Sequence, residues 1–164
     1  MEKEIFAKSV NGINIYIDRV NSHALTHFTH SPQLADEVRE VIAKLNIKEE
    51  LRIEHDTGKM IGLTDLYETN EGDEIVYAKR VLRDTYSRFV KNKEPQQTSW
   101  LTLHIKKQDD EYFLYTAFIG RSTPSFPGGD YLPEQSKSFW STHALVWGTQ
   151  EVVPATETSV SPWD

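Results

Sequence analysis

The chain has 164 residues, 38% of them apolar and 26% charged, which is enough apolar content for one packed core and not the composition of a disordered segment. It contains no cysteine, which excludes disulfide frameworks, thiolate metal sites, iron–sulfur clusters and cysteine nucleophiles. The formal charge of −7 argues against a protein that coats nucleic acid over its whole surface, yet the charge is uneven: Tyr77 to Lys107 carries eight basic residues against two acidic ones, a stretch of +6 that leaves the remainder at −13.

The N-terminal MEKEIFAKSV is charged and lacks the apolar run of a signal peptide, and no window approaches the roughly 20 apolar residues that cross a bilayer. The expected compartment is therefore cytoplasmic, with no membrane partner. IFAKSV and INIYI flank Asn11-Gly12, a pair suited to the positive-φ positions of a type I′ turn, so a β-hairpin is predicted with Ile13, Ile15 and Ile17 on its buried face. HALTHFTH, residues 23–30, reads as a short strand. A helix follows, capped by Ser31 and opened by Pro32, with Leu34, Val38, Val41, Ile42 and Leu45 on one stripe.

Leu51 to His55 alternates as a strand, and Glu74 to Ala78 has the β-branched and aromatic content of a buried one. Leu82, Tyr86, Phe89 and Val90 fit an amphipathic helix with Arg83 and Lys91 outside. The strongest strand signals are Ser99 to Lys107 and Glu111 to Gly120, joined by a turn at Asp109-Asp110 as a central hairpin. A Pro- and Gly-rich loop, Ser122 to Pro133, leads to a brief helix, Glu134 to Thr142, and to a closing strand in ALVW. Trp100, Phe139, Trp140 and Trp147 are expected in the core more than on a stacking surface.

These elements describe an α+β fold with no internal repeat: a twisted, mostly antiparallel β-sheet packed against one long N-terminal helix and one or two shorter helices, in a single domain spanning 1–148. Residues 149–164 are expected to form an extended or mobile tail into which Trp163 can dock.

No phosphate-binding glycine loop, dinucleotide fingerprint or nucleophile elbow is present, which sets aside nucleotide chemistry of those types and α/β serine hydrolysis. His23, His27 and His30 are the most conspicuous histidines. On a strand His23 and His27 share a face and His30 points away, a poor metal set, so neither metal nor cofactor is expected. His143 stands at a predicted helix–strand junction, Arg121 ends the central strand, and Lys79 and Arg80 end a third. Their convergence at one sheet end would suit metal-independent RNA cleavage, which needs an acid, a base and fixed cations around a phosphate. His23, His27, His55 and Glu54 are the alternatives for the second titrating group.

The segments Tyr112 to Arg121 (YFLYTAFIGR) and Ser138 to Trp147 (SFWSTHALVW), with Glu74 to Arg80, give the chain a layout that resembles small ribonuclease and toxin domains of the barnase, EndoU and RelE-like type. The segment Ile75 to Val90 is also similar to a bacterial family to which no function attaches. The ribonuclease resemblance covers less than half the chain. It implies His143 as general acid or base, Arg121 and Lys79 as phosphate stabilisers, Arg80 or Arg88 on the RNA backbone, and Thr142 orienting the histidine or the phosphate. The implied partners are single-stranded RNA and an inhibitor or partner protein. The alternative is a non-enzymatic ligand- or protein-binding module that uses the loop Ser122 to Pro133 as its recognition surface.

Overall fold

A computed structural model describes residues 2–81, 85–128 and 133–163. In chain order the elements are β1 (Lys3–Lys8), β2 (Asn14–Asp18), α1 (Ala24–His30), α2 (Pro32–Ala43), β3 (Leu51–Asp56), β4 (Gly62–Thr64), β5 (Leu66–Glu68), β6 (Ile75–Lys79), β7 (Tyr86–Val90), β8 (Gln96–Thr98), β9 (Trp100–Gln108), β10 (Glu111–Ile119), α3 (Glu134–Trp140) and β11 (His143–Val146). They divide into two units, one of Met1–Thr64 with Gln97–Ser122 and the other of Asp65–Gln96 with Thr123–Asp164. No helix among the described residues is long and apolar enough to cross a membrane.

The expected fold class is corrected on two counts. The chain is mostly sheet, with 40% of residues in strands against 17% in helices, and the strands form three sheets where one was anticipated. No long N-terminal helix forms: the helix expected from Pro32 is α2, which ends after 12 residues at Ala43, and the strand expected over 23–30 is instead a 7-residue helix, α1, with a break between the two. Pro32 causes the break: it lacks an N–H and pushes the preceding residue out of helical geometry, so Ser31 sits at φ −137, ψ 79. Ser31 occupies the N-cap position of α2 without a side-chain capping bond.

In the first unit the sheet order is β1-β2-β10-β9-β3. Leu34, Val38, Val41 and Ile42, at helical spacing on α2, are buried together with Ile15, Ile17, Leu101, Leu103, Ile105 and Leu114 from one face of the sheet. Each such side chain contributes roughly 1.5–3 kcal/mol of burial, so this layer holds the unit together. Alternation along β9 and β3 sends Trp100, His104, Lys106, Arg52 and Glu54 to the opposite face. A short ribbon pairs β4 with β8.

The two hairpin turns differ from expectation in a way that backbone chemistry explains. Gly12 has φ +81 while Asn11 does not enter positive φ, and the Gly12 N–H donates to the Ser9 carbonyl at 3.0 Å, so a longer turn replaces the two-residue one. The two-residue turn with both central residues at positive φ is instead Asp109 (φ 51) and Asp110 (φ 63) between β9 and β10, which short polar side chains tolerate.

The second unit has the sheet order β5-β11-β7-β6. The helix expected over 82–90 is a strand from Tyr86 on, while Leu82, Arg83 and Asp84 lie outside the described residues. Ser87 to Val90 are all buried in a row, which a strand covered on both faces requires and an amphipathic helix forbids. The tail is extended and docked: Tyr77 and Thr158 exchange backbone bonds of 2.8 and 2.9 Å, and Trp163 packs with Phe126 and Trp140.

Candidate functional site on the first sheet

The chemistry-bearing side chains of the first unit are assembled by an irregularity in β10. Leu114 pairs with Ile105 and Thr116 with His104, so Tyr115 is an extra residue bulged out of the ladder. Bulges re-aim a side chain. The β2 strand pairs with β10 at Tyr112 and Phe113, which leaves the next carbonyls of β10 available to the segment after β2. Ser22 Oγ donates to the Leu114 carbonyl at 2.9 Å and the His23 N–H donates to the Tyr115 carbonyl at 3.2 Å, fixing the start of α1 beside the bulge.

Four side chains therefore meet. The His23 ring lies 4.9 Å from that of Tyr115, the His104 ring 5.4 Å from it in edge geometry, and Lys106 Nζ stands 3.6 Å from the Tyr115 ring centroid. His27, one turn after His23, reaches Phe118 at 5.9 Å. Arg52 is the cross-strand neighbour of His104 and donates to Ser122 Oγ at 2.9 Å. Burial, then the charges of Arg52 and Lys106, hold the His104 imidazole below its ordinary pKa. Burial, then His30 and His23, do the same to His27. His104 Nδ1 is buried and has no hydrogen-bond partner among the described residues.

Beyond this cluster lies a carboxylate network. Burial would raise the Glu54 carboxyl, but the Arg121 hydrogen bond at 3.2 Å and the Ser122 amide at 2.9 Å hold it below its usual value. Gly120 makes the turn into Arg121: its φ is +103, and a Cβ there would stand 3.1 Å from Thr64 Oγ1. Arg121 then stacks 4.2 Å over Trp100. At the turn end of the β9–β10 hairpin a wide cleft of about 610 Å³ is lined by Glu49, Glu50, Asp109, Asp110, Lys48 and Lys107. Four carboxylates make it a poor phosphate site.

Of the residues implied by sequence, the second unit brings His143, Thr142 and Arg88 together. The His143 Nδ1–H faces the Phe139 carbonyl at 3.1 Å and Thr142 Oγ1 at 2.9 Å, and a carbonyl only accepts, so Nδ1 carries the proton and Nε2 is the basic atom of the neutral ring. The ring lies flat on Phe139, centroids 4.0 Å apart. Arg88, 9% exposed, donates to the His143 carbonyl and to Thr69 Oγ1, both at 2.9 Å, while its Nε has no partner among the described residues. Lys79 and Arg80 face the tail: the Lys79 N–H donates to Thr156 Oγ1 at 3.1 Å, and Arg80 donates to Gln150 at 2.9 Å and stacks 5.1 Å from Phe126. Arg121 belongs to the first unit. The loop Ser122 to Pro133 is described as far as Gly128 and at Pro133; residues 129–132 lie outside the described residues.

Sequence reasoning passed over His104, Lys106, Arg52 and Tyr115. The first three were readable from alternation, since SWLTLHIKK and LRIEH place them opposite the leucines and isoleucines. The spacing of four between His23 and His27 is a helical repeat that the strand reading concealed. Among the described residues no group of three or more His, Asp and Glu side chains is arranged to hold a metal ion. No family model matches the chain, and no curated protein or solved structure matches it.

Proposed function

We propose that the protein cleaves single-stranded RNA without a metal, using the Tyr115 cluster of the first sheet. The observation that carries this reading is the gathering of two imidazoles and an ammonium around one bulged tyrosine, with a guanidinium on the neighbouring strand. His104, kept neutral near pH 7 by its depressed pKa, takes the proton of the ribose 2′-hydroxyl. The 2′-oxygen attacks phosphorus, the bond from phosphorus to the 5′-oxygen breaks, and His23, the more exposed imidazole, donates the proton the leaving oxygen needs. The products are a 2′,3′-cyclic phosphate and a free 5′-hydroxyl. Lys106 and Arg52 offset the extra negative charge on the phosphate as it is attacked.

The test is incubation with mixed-sequence single-stranded RNA in excess EDTA, comparing wild type, His104→Ala, His23→Ala and His143→Ala. The reading requires chelator-resistant cleavage that falls by roughly 10²–10⁴ in each of the first two variants, the usual contribution of a general acid or base. DNA of the same sequence, lacking the 2′-hydroxyl, should stay intact. Wild type that leaves RNA uncut across pH 5–8 would sink the proposal and favour a binding module. Loss confined to His143→Ala would move the centre to the second unit.

A further inference from the structure

We infer that the same sheet face carries a base-stacking platform beside the proposed centre, which holds further nucleotides of a single RNA strand; this rests on the reading above for its substrate class. On the row next to His104, cross-strand register sets Ile5, Tyr16, Phe113 and Lys106 side by side on β1, β2, β10 and β9. The Tyr16 and Phe113 rings stand 5.9 Å apart, tilted by 41°, and neither belongs to the core cluster of this unit. Ile5 is 59% exposed, so the apolar row runs out to the sheet edge uncovered within this unit.

Charge complementarity selects the occupant. Lys3 Nζ lies 4.6 Å from the Tyr16 ring at one end of the row, and Lys106 at the other end reaches onto Tyr115, so cations flank aromatic faces in a chain whose net charge is −7. Rings at the spacing of sheet neighbours with lysines beside them match alternating bases and phosphates, and stacking is tolerant of base identity. Three carboxylates lie nearby among the described residues and each is engaged: Glu111 with Lys3 at 2.9 Å, Asp18 with the Val20 and Asn21 amides, and Glu50, which accepts from the Lys107 N–H at 2.9 Å. The exposed Lys3–Glu111 pair is weak enough for a phosphate to replace its carboxylate.

The inference is tested with 2′-O-methyl oligoribonucleotides, which present bases and phosphates but cannot be cut. Fluorescence anisotropy should show that Tyr16→Ala and Phe113→Ala each weaken an octamer by roughly ten-fold, as expected for one lost base stack, and leave a dinucleotide unchanged. Phe113→Leu, which keeps apolar volume, should lose most of the same affinity, and Glu111→Gln should gain a few-fold. Octamer affinity equal to wild type in all the ring variants, or equal binding of duplex and single strand, overturns the platform. The two readings separate: cleavage with undisturbed octamer binding sinks the platform alone, and weakened octamer binding without any cleavage sinks the catalytic centre alone.

Discussion

Two histidine-bearing regions of this molecule use the same residue types to opposite ends. In the second unit, the His143 Nδ1–H donates to the Phe139 carbonyl and Thr142 Oγ1, the ring lies flat on Phe139, and Arg88 donates to the His143 carbonyl. Its polar groups are largely used in holding the end of α3 to β11. In the first unit, His23 and His104 touch Tyr115 by ring contact, His104 Nδ1 has no described partner, and the nearest cations are held by an aromatic face and a serine hydroxyl. The His143 region spends most of its side-chain hydrogen bonds on structure, Arg88 Nε being an exception, whereas the Tyr115 cluster is held by packing and keeps bonding capacity that the proposed reading uses.

The largest effect that distinguishes the regions is catalytic. His104→Ala is expected to lower the cleavage rate by roughly 10²–10⁴, while His143→Ala changes it by less than about two-fold per folded molecule. Single-turnover assays with folded fraction measured by circular dichroism decide this. Next comes the electrostatic effect: Lys106→Gln and Arg52→Gln should each lower cleavage by roughly ten-fold or more. Each should also flatten the salt dependence of single-strand binding by about 0.7 in the log–log slope, the contribution of one neutralised phosphate. A steep slope unchanged in both variants would place the phosphate contacts elsewhere.

The second region should respond in stability. Arg88→Ala removes two hydrogen bonds to half-buried oxygens and leaves a void, so a loss of about 2–4 kcal/mol is expected in urea unfolding. Arg88→Met should cost clearly less, because it fills the space and no longer buries a cation whose described partners are neutral oxygens. Cleavage by the folded fraction should survive in both. An Arg88→Ala variant that is stable but inactive would erase the contrast between the regions.

How much of this was legible in the sequence follows from which interactions are local. The stripe of Leu34, Val38, Val41 and Ile42 and the alternation of β9 are periodic, and both were readable from spacing alone. The segment 23–30 was not, because its histidines and threonines satisfy either period, and only the docking of Ser22 and His23 on β10 makes it helical. Tyr86 to Val90 failed for a similar reason: its apolar residues fit a helix until β6 and β11 pair with its two edges and make it an inner strand. The site was half legible. Alternation puts His104, Lys106 and Arg52 on one face, whereas the bulge that turns Tyr115 toward them depends on a register that no local pattern encodes.

The smallest effect is the most specific probe of the first region. The folded-state pKa of His104 is depressed, by burial first and then by Arg52 and Lys106. As pH falls below the ordinary imidazole value, the unfolded chain takes up a proton that the folded chain resists. Stability is therefore complete above that value, declines on acidification, and levels off once pH passes below the folded-state pKa. His104→Phe should make this part of the profile shallower, leaving the share that His27, depressed in the same direction, contributes. The same depression predicts the response to ligand, since an anion bound between Lys106 and Arg52 cancels the charge that disfavours imidazolium. Titrating the His104 ring protons by NMR with inorganic phosphate present should move its midpoint upward. A midpoint at His104 that ignores phosphate would mean that no anion sits against it, and would remove the electrostatic basis for placing an RNA phosphate there.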